Sequence, residues 1–181
     1  LGLNYSLVNA AKWIKFVENN GFSTGVHGIN YTDEAMMQNE YRNFDSITNQ
    51  KNFGIRMHYL RYDNSLHKKL AKIGYLFDST FYSRTSSFSK NGMTCFPLHI
   101  MDSYEIYQGN RLLKSKIADI INKTQKKIHE LIELKIDYLT INTHDVYFNK
   151  CYQAFYNWYL WLIEYLFKLK LEFIDYKNAI M

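Results

Sequence analysis

Apolar and polar positions along the chain switch repeatedly between helical and extended spacing. Leu7, Ala11, Ile14 and Val17 share one helical face, which predicts a helix over 5–19 with Asn4 as cap and Gly21 as stop. A strand is expected over 22–29, and Asp33 should cap a second helix reaching about Phe44. A short strand over 53–58 is followed by a helix over 65–73, closed by Gly74. The next strand runs over 75–78. Residues 79–95 are rich in Ser, Thr, Asn and Gly and read as a long loop; loops of that length in compact domains are often functional rims. A strand over 95–101 surrounds the only proline, Pro97, so it should be short, bulged or at an edge. A long amphipathic helix is expected over 111–134, with Leu113, Ile117, Ile120, Ile121, Ile128 and Leu131 as its apolar stripe. A strand over 138–142, a helix over 152–169, a strand over 171–174 and a closing helix over 176–181 complete the pattern.

Helix and strand in alternation, without repeats, argue for an α/β fold with largely parallel strands in one domain spanning 1–181. Polar and ionisable residues gather just after the expected strands. His27 and Asn30 come first, then Arg56, His58 and Arg61, then Asp78, then His99 and Asp102, then His144 and Asp145. A cluster on one side of this kind suits the ligand-binding mouth of a barrel. The densest stretch is Phe53 to Asn64, where two guanidinium groups, an imidazole, two phenols and a carboxylate crowd at the end of a short strand. Such groups are costly to bury unpaired. Arg56 is either a structural ion-pair partner or a member of a site, and His27 is either a satisfied structural imidazole or a ligand.

Composition narrows the field. The 16 tyrosines, 12 phenylalanines and 3 tryptophans supply core, and such rings can also floor a sugar-binding cleft. The net charge of +5 is spread along helices, which argues against a nucleic-acid stripe. No apolar run reaches the roughly 18 residues of a membrane span. Cys95 and Cys151 have neither a metal-ligand nor a disulfide spacing, so free thiols in a reducing, cytoplasmic compartment are expected. No phosphate-cradling glycine loop and no Gly-x-Ser-x-Gly elbow is present, which disfavours nucleotide-dependent chemistry and a serine hydrolase of that type. His67 and His129 fall within expected helices and read as surface or packing residues.

Five segments, in order, resemble the polysaccharide deacetylases of the NodB-homology group (carbohydrate esterase family 4), in a divergent branch tied to surface-polysaccharide synthesis. Thr24-Gly25-Val26-His27-Gly28 resembles the family's E-(I/V)-G-x-H segment, and Gly54-Ile55-Arg56-Met57-His58-Tyr59-Leu60-Arg61 its G-x-R-x-H-Y-L-R segment. Gly74 to Thr80 is similar to G-Y-x-Y-D-S-T, Phe96 to Asp102 to x-P-x-H-I-M-D, and Ile141-Asn142-Thr143-His144 sits at the late L-x-H motif. The resemblance implies a distorted (β/α) barrel and a metal-dependent hydrolase that removes acetyl groups from an acetylated saccharide. It implies a divalent metal, with zinc the expected ion, and His27 as a ligand to it. It implies His144 as general acid, Arg56 orienting the base carboxylate, and His58, Arg61, Asp78, His99 and Asp102 lining the substrate groove.

The chain departs from the family at two places. The first family strand, ending in an Asp pair that supplies the base and a metal ligand, has no counterpart before Leu7, so a barrel lacking its first strand in this chain is expected. The second metal-binding histidine, four residues after the first, is Tyr31 here. The alternative reading is therefore a catalytically inactive carbohydrate-binding relative on the same fold, and an unrelated α/β interaction module is a third.

Overall fold

The structure is a computed structural model and describes residues 7–108, 111–112 and 117–180. In chain order the elements are α1 (Leu7–Asn19), β1 (Val26–Gly28), α2 (Glu34–Asp45), β2 (Ile55–Met57), α3 (Leu66–Ile73) and β3 (Phe77–Asp78). They continue with β4 (Phe88–Lys90), β5 (Met93–Cys95), β6 (Ile100–Met101), α4 (Asp102–Ile106), β7 (Tyr107–Gln108) and β8 (Arg111–Leu112). The last are α5 (Ile117–Glu133), β9 (Ile141–Asn142), α6 (Gln153–Lys168) and α7 (Tyr176–Ile180). This is the mixed α/β class expected from the sequence. Contacts divide it into two compact units: Leu1–Tyr82 with Ser87–Phe96 and Ile174–Met181, and Ser83–Ser86 with Pro97–Phe173.

The first unit is built on a sheet of order β1-β2-β3-β5-β4. Its first four members in that order are parallel, and β4 runs antiparallel at the edge. Register matters because side chains alternate between faces. Val26 pairs with Ile55, Ile55 with Asp78, and Asp78 with Cys95, so these four project to one face. That face carries the core, with Met37 and Phe44 of α2 and Leu66, Leu70 and Ile73 of α3 among its buried members. Burying a leucine of this kind contributes about 1.5–3 kcal/mol. His27 pairs with Arg56 and so projects, with Phe77, to the opposite face. There the Phe77 ring stacks on Tyr176 of α7 at 4.5 Å. Gly54 has no alternative on this face, because a Cβ there would lie 2.3 Å from the Phe77 ring.

Local signals set the helix ends. The Asp33 carboxylate accepts from the Met36 N–H at 3.1 Å and caps α2. Gly74 adopts φ +110° after α3, a conformation that strains a residue with a side chain.

In the second unit β6 and β9 are parallel, with Ile100 opposite Ile141 and Met101 opposite Asn142. Its core joins Ile100 and Ile106 to Ile120 and Ile128 of α5 and to Phe155, Trp158, Leu162 and Leu166 of α6. A polar thread runs through it: Trp158 Nε1 donates to Thr124 Oγ1, which donates to the Ile120 carbonyl, each at 3.0 Å. The buried Glu105 carboxylate of α4 takes the Lys127 ammonium and lies 3.8 Å from that of Lys123.

Several expectations are corrected. The loop over 79–95 contains the β4–β5 hairpin. Its turn is Asn91-Gly92, at φ 54° and 78°, the pairing favoured in tight hairpins. The single strand expected over 95–101 is two strands in different sheets, β5 ending at Cys95 and β6 starting at Ile100. Pro97, without an N–H for a ladder, falls between them. The helix expected from 111 begins at Ile117, because Arg111–Leu112 pairs antiparallel with Tyr107–Gln108. Leu113 lies outside the described residues. His58 leaves β2 for a 3-10 turn, and residues 171–174 are not a strand. Both cysteines are free, Cys95 buried and Cys151 exposed. Among the described residues no helix is long and apolar enough to cross a membrane.

Candidate functional site

The second unit places a carboxylate beneath an imidazole. Asp102 is the first residue of α4, directly after β6, and His144 follows the parallel neighbour β9 by two residues. His144 Nδ1 donates to Asp102 Oδ1 at 2.7 Å, and the His144 backbone N–H donates to Oδ2 at 2.6 Å. The Ser103 N–H adds a third bond, to Oδ1, at 2.6 Å. The Asp102 side chain is 3% exposed and that of His144 is 42% exposed. The imidazole is therefore oriented from below and open from above. It borders a small hollow lined by Thr143, Tyr147, Phe148, Tyr156 and Tyr159 together with the buried Phe155 and Trp158. Tyr147 stacks on Phe155 at 3.9 Å, which fixes one wall. A carboxylate-oriented imidazole beside an apolar wall can hand a proton to a leaving group and hold a small acyl or sugar face.

In the first unit, the ends of β1 and β2 form an exposed rim. His27 Nε2 and His58 Nδ1 are 2.8 Å apart, with ring planes at 77°. His58 is held by its turn: Tyr59 and Leu60 take φ 56° and 53°, and the Tyr59 ring lies 3.9 Å from the imidazole. Left-handed backbone at residues with side chains costs on the order of 1–3 kcal/mol each. Burial and the nearby Arg61 guanidinium push the His58 pKa down, favouring the neutral ring. Arg61 itself lies over Tyr59 at 5.6 Å and over Tyr31 at 6.0 Å. Arg56 Nε donates to the Ser79 carbonyl at 3.1 Å, and a terminal nitrogen to Ser79 Oγ at 3.0 Å and Tyr176 Oη at 2.9 Å.

Asp78 and His99 have different surroundings. Asp78 projects to the helix-covered face, where Oδ2 accepts from His67 Nε2 at 3.1 Å and Oδ1 accepts from the Thr80 N–H at 3.1 Å. Cys95 lies beside them, its thiol pushed up to about 12 mainly by burial and also by the Asp78 charge. His99, 2% exposed in the second unit, donates from Nε2 to the Thr85 carbonyl at 3.0 Å and accepts the Thr140 N–H on Nδ1 at 3.1 Å. Both nitrogens of His99 are engaged by backbone, so the residue braces β6 against the chain before β9. His67 is the residue that sequence reading undervalued: it is buried, not on the surface. The signal was its position on the α3 stripe with Leu66, Leu70 and Ile73.

The metal implied at His27 can be tested against the donors present. His27 and His58 bring two imidazole nitrogens together, but these hydrogen-bond each other at 2.8 Å and fall short of the three protein ligands of a catalytic zinc site. Among the described residues, a group of three His, Cys, Asp or Glu donors occurs at His67, Asp78 and Cys95, with the ligand atoms within 4.8 Å of one another. All three are buried on the other face of the sheet from His27. A three-ligand site at His27 is thus not completed within the described residues, and no reaction step is derived through an ion.

Comparison with protein-family models gives no match, and neither does comparison with curated protein sequences. Among solved structures, the chain is similar to one described as a "putative polysaccharide deacetylase from Mycobacterium smegmatis". The TM-score is 0.60 at 16% identity, over 77% of this chain and 55% of the other. The chain therefore spans about half the length of that protein, and at this identity the likeness establishes the fold.

Proposed function

We propose that this chain carries a polysaccharide deacetylase-type hydrolase activity, removing acetyl groups from a sugar in cell-surface polysaccharide metabolism, on a distorted (β/α) barrel of that family. The observation that carries the reading is the Asp102–His144 pair opening on an aromatic-lined hollow. Asp102 fixes the Nδ1–H tautomer and stabilises the imidazolium, so Nε2 is the nitrogen that delivers a proton to the departing sugar amine or alkoxide. The rings of Tyr147, Phe148, Tyr156 and Tyr159 border the hollow and offer the acetyl methyl or a sugar face an apolar wall. In the first unit, taken by itself, His27, Arg56, His58 and Arg61 gather at and just after the ends of β1 and β2. In this family a divalent ion, when bound, polarises the acetyl carbonyl and acidifies water. The free thiols of Cys95 and Cys151 fit a reducing, cytoplasmic location.

Acetate release from an acetylated chitin-type oligosaccharide tests the reading. Wild-type protein should release acetate, and His144→Ala should lose most of that activity. Equal release by His144→Ala would remove the dyad from the chemistry. The second reading, an inactive glycan-binding relative, is favoured by the partial donor set at His27. Retained oligosaccharide binding with no acetate release would select it.

A further inference from the structure

We propose that His67, Asp78 and Cys95 form a structural zinc site that ties α3 to the sheet beneath it. The site stands apart from the deacetylase reading and lies on the sheet face opposite His27. Asp78 of β3 pairs with Cys95 of β5, so carboxylate and thiol project side by side. His67 enters from the first turn of α3, and its Nε2 lies 3.1 Å from Asp78 Oδ2. All three side chains are buried, and one ligand atom from each lies within 4.8 Å of the others. Three atoms so spaced share a point no more than about 2.8 Å from each, against zinc bonds of about 2.0–2.2 Å to nitrogen or oxygen and about 2.3 Å to sulfur. Small torsions of the three side chains close that gap.

Charge and hydrogen bonding support the same ion. A divalent cation with one carboxylate, one thiolate and one neutral imidazole is a neutral group, and burial penalises net charge. Zinc deprotonates a coordinating thiol. Binding therefore releases the Cys95 proton to water, while the imidazole proton moves from Nε2 to Nδ1. His67 Nδ1 makes no hydrogen bond, so no second contact holds that proton at Nε2. The carboxylate is already oriented. Asp78 Oδ1 accepts from the Thr80 N–H at 3.1 Å and from Thr80 Oγ1 at 2.5 Å, and Thr80 Oγ1 accepts the Met57 N–H at 3.0 Å. This outer shell leaves Oδ2 to the ion. Mixed sulfur, nitrogen and oxygen donors suit zinc over calcium or magnesium.

Because the donors are buried, the ion enters as the chain folds. Cobalt(II) added to the intact chain during refolding from urea, after chelator treatment, tests the site by near-ultraviolet and visible absorption. One ion per chain should bind, with a thiolate-to-cobalt charge-transfer band that zinc displaces. The band should vanish in Cys95→Ser and persist in Cys151→Ser and His27→Ala. Affinity should fall at least about a hundredfold in Cys95→Ser and in His67→Gln, no less than the loss of an outer-shell partner costs. Zinc should also raise the urea midpoint of the wild-type chain and leave that of Cys95→Ser unmoved. The chain has two cysteines, so a band that survives Cys151→Ser names Cys95 even if Cys95→Ser does not fold. No bound cobalt, a bound ion without the charge-transfer band, or a band lost in Cys151→Ser overturns the site. Loss of the ion in His27→Ala would place it on the other sheet face and overturn it equally.

Discussion

Among the described residues each unit holds a histidine–aspartate pair, and these two differ in exposure. His67 and Asp78 are 1% and 0% exposed at their side chains, whereas His144 is 42% exposed above an Asp102 that is 3% exposed. In the first pair the imidazole is a buried strut between α3 and β3, its Nε2–H on the carboxylate and its Nδ1 lone pair without a hydrogen-bond partner. In the second only the carboxylate is withdrawn from water, and it is fixed by two backbone N–H groups. Burial of the acid alone yields an oriented ring that can still trade protons. Burial of both yields a structural member, which is weak evidence for stability in itself yet costly to break. The same two residue types therefore do different work, and exposure of the ring decides which.

The largest expected effect tests the open pair. His144→Ala should lower acetate release by roughly 10²–10⁴-fold, the usual contribution of a positioned proton donor. Its urea midpoint should move little, because Asp102 keeps its Ser103 donor and a half-exposed ring is lost. Asp102→Asn should lose activity comparably, since the amide cannot stabilise an imidazolium. A His144→Ala protein that unfolds early but retains turnover when folded would erase the contrast between the pairs.

Next in size is the closed pair. Asp78→Ala strands the His67 Nε2–H and the Thr80 N–H in the core, and should cost about 3–5 kcal/mol. The check is urea unfolding followed by far-ultraviolet circular dichroism. A loss below about 1 kcal/mol would show that the site is wet or that water replaces the carboxylate. The thiol beside this pair provides a milder probe. Cys151 should react at once with a disulfide reagent, and Cys95, buried with its pKa at about 12, only on unfolding. His67→Ala should bring Cys95 into reach at lower urea than in wild type.

How much of this was legible in the chain depends on whether a signal is local. Asp33 before a helical stripe, Gly74 after one, and the apolar spacing of Ile120, Ile128 and Leu131 each specify structure within a few residues, and each appears as expected. The Asn91-Gly92 turn was equally local, but it lay inside a stretch whose polar composition reads as loop. Pro97 pointed to an interrupted strand, and only the sheet order reveals that its two halves join different sheets. The residues that pair here were identifiable as strand-end polar groups. Their pairings were not, because Asp102 and His144 are 42 residues apart and His27 and His58 are 31 apart. No periodicity links such positions, and register between parallel strands does. His67 shows the opposite error: a polar residue in a helix reads as surface until the carboxylate that receives it, on another element, is known.

The smallest expected effect concerns a third histidine, which takes the carboxylate out of the comparison. His99 is as buried as His67 but is held by two backbone groups. Burial lowers its pKa below the ordinary 6.5, against the opposing pull of the Thr85 carbonyl and of Asp137. The folded protein thus resists protonation that the unfolded chain accepts. Stability from the neutral ring is complete above about pH 6.5 and declines as pH falls through the folded pKa, because the unfolded state then binds the extra proton. Protonation would also set an N–H against the Thr140 N–H. The urea midpoint should therefore decrease between pH 7.5 and pH 5. His99→Phe should show a shallower decrease from a starting point lowered by about 2 kcal/mol, the cost of two unpartnered backbone groups. Parallel slopes in the two proteins would mean that the ring titrates alike folded and unfolded. Backbone hydrogen bonds would then not keep a buried imidazole neutral here, and the difference between the two aspartate pairs would need a cause other than exposure.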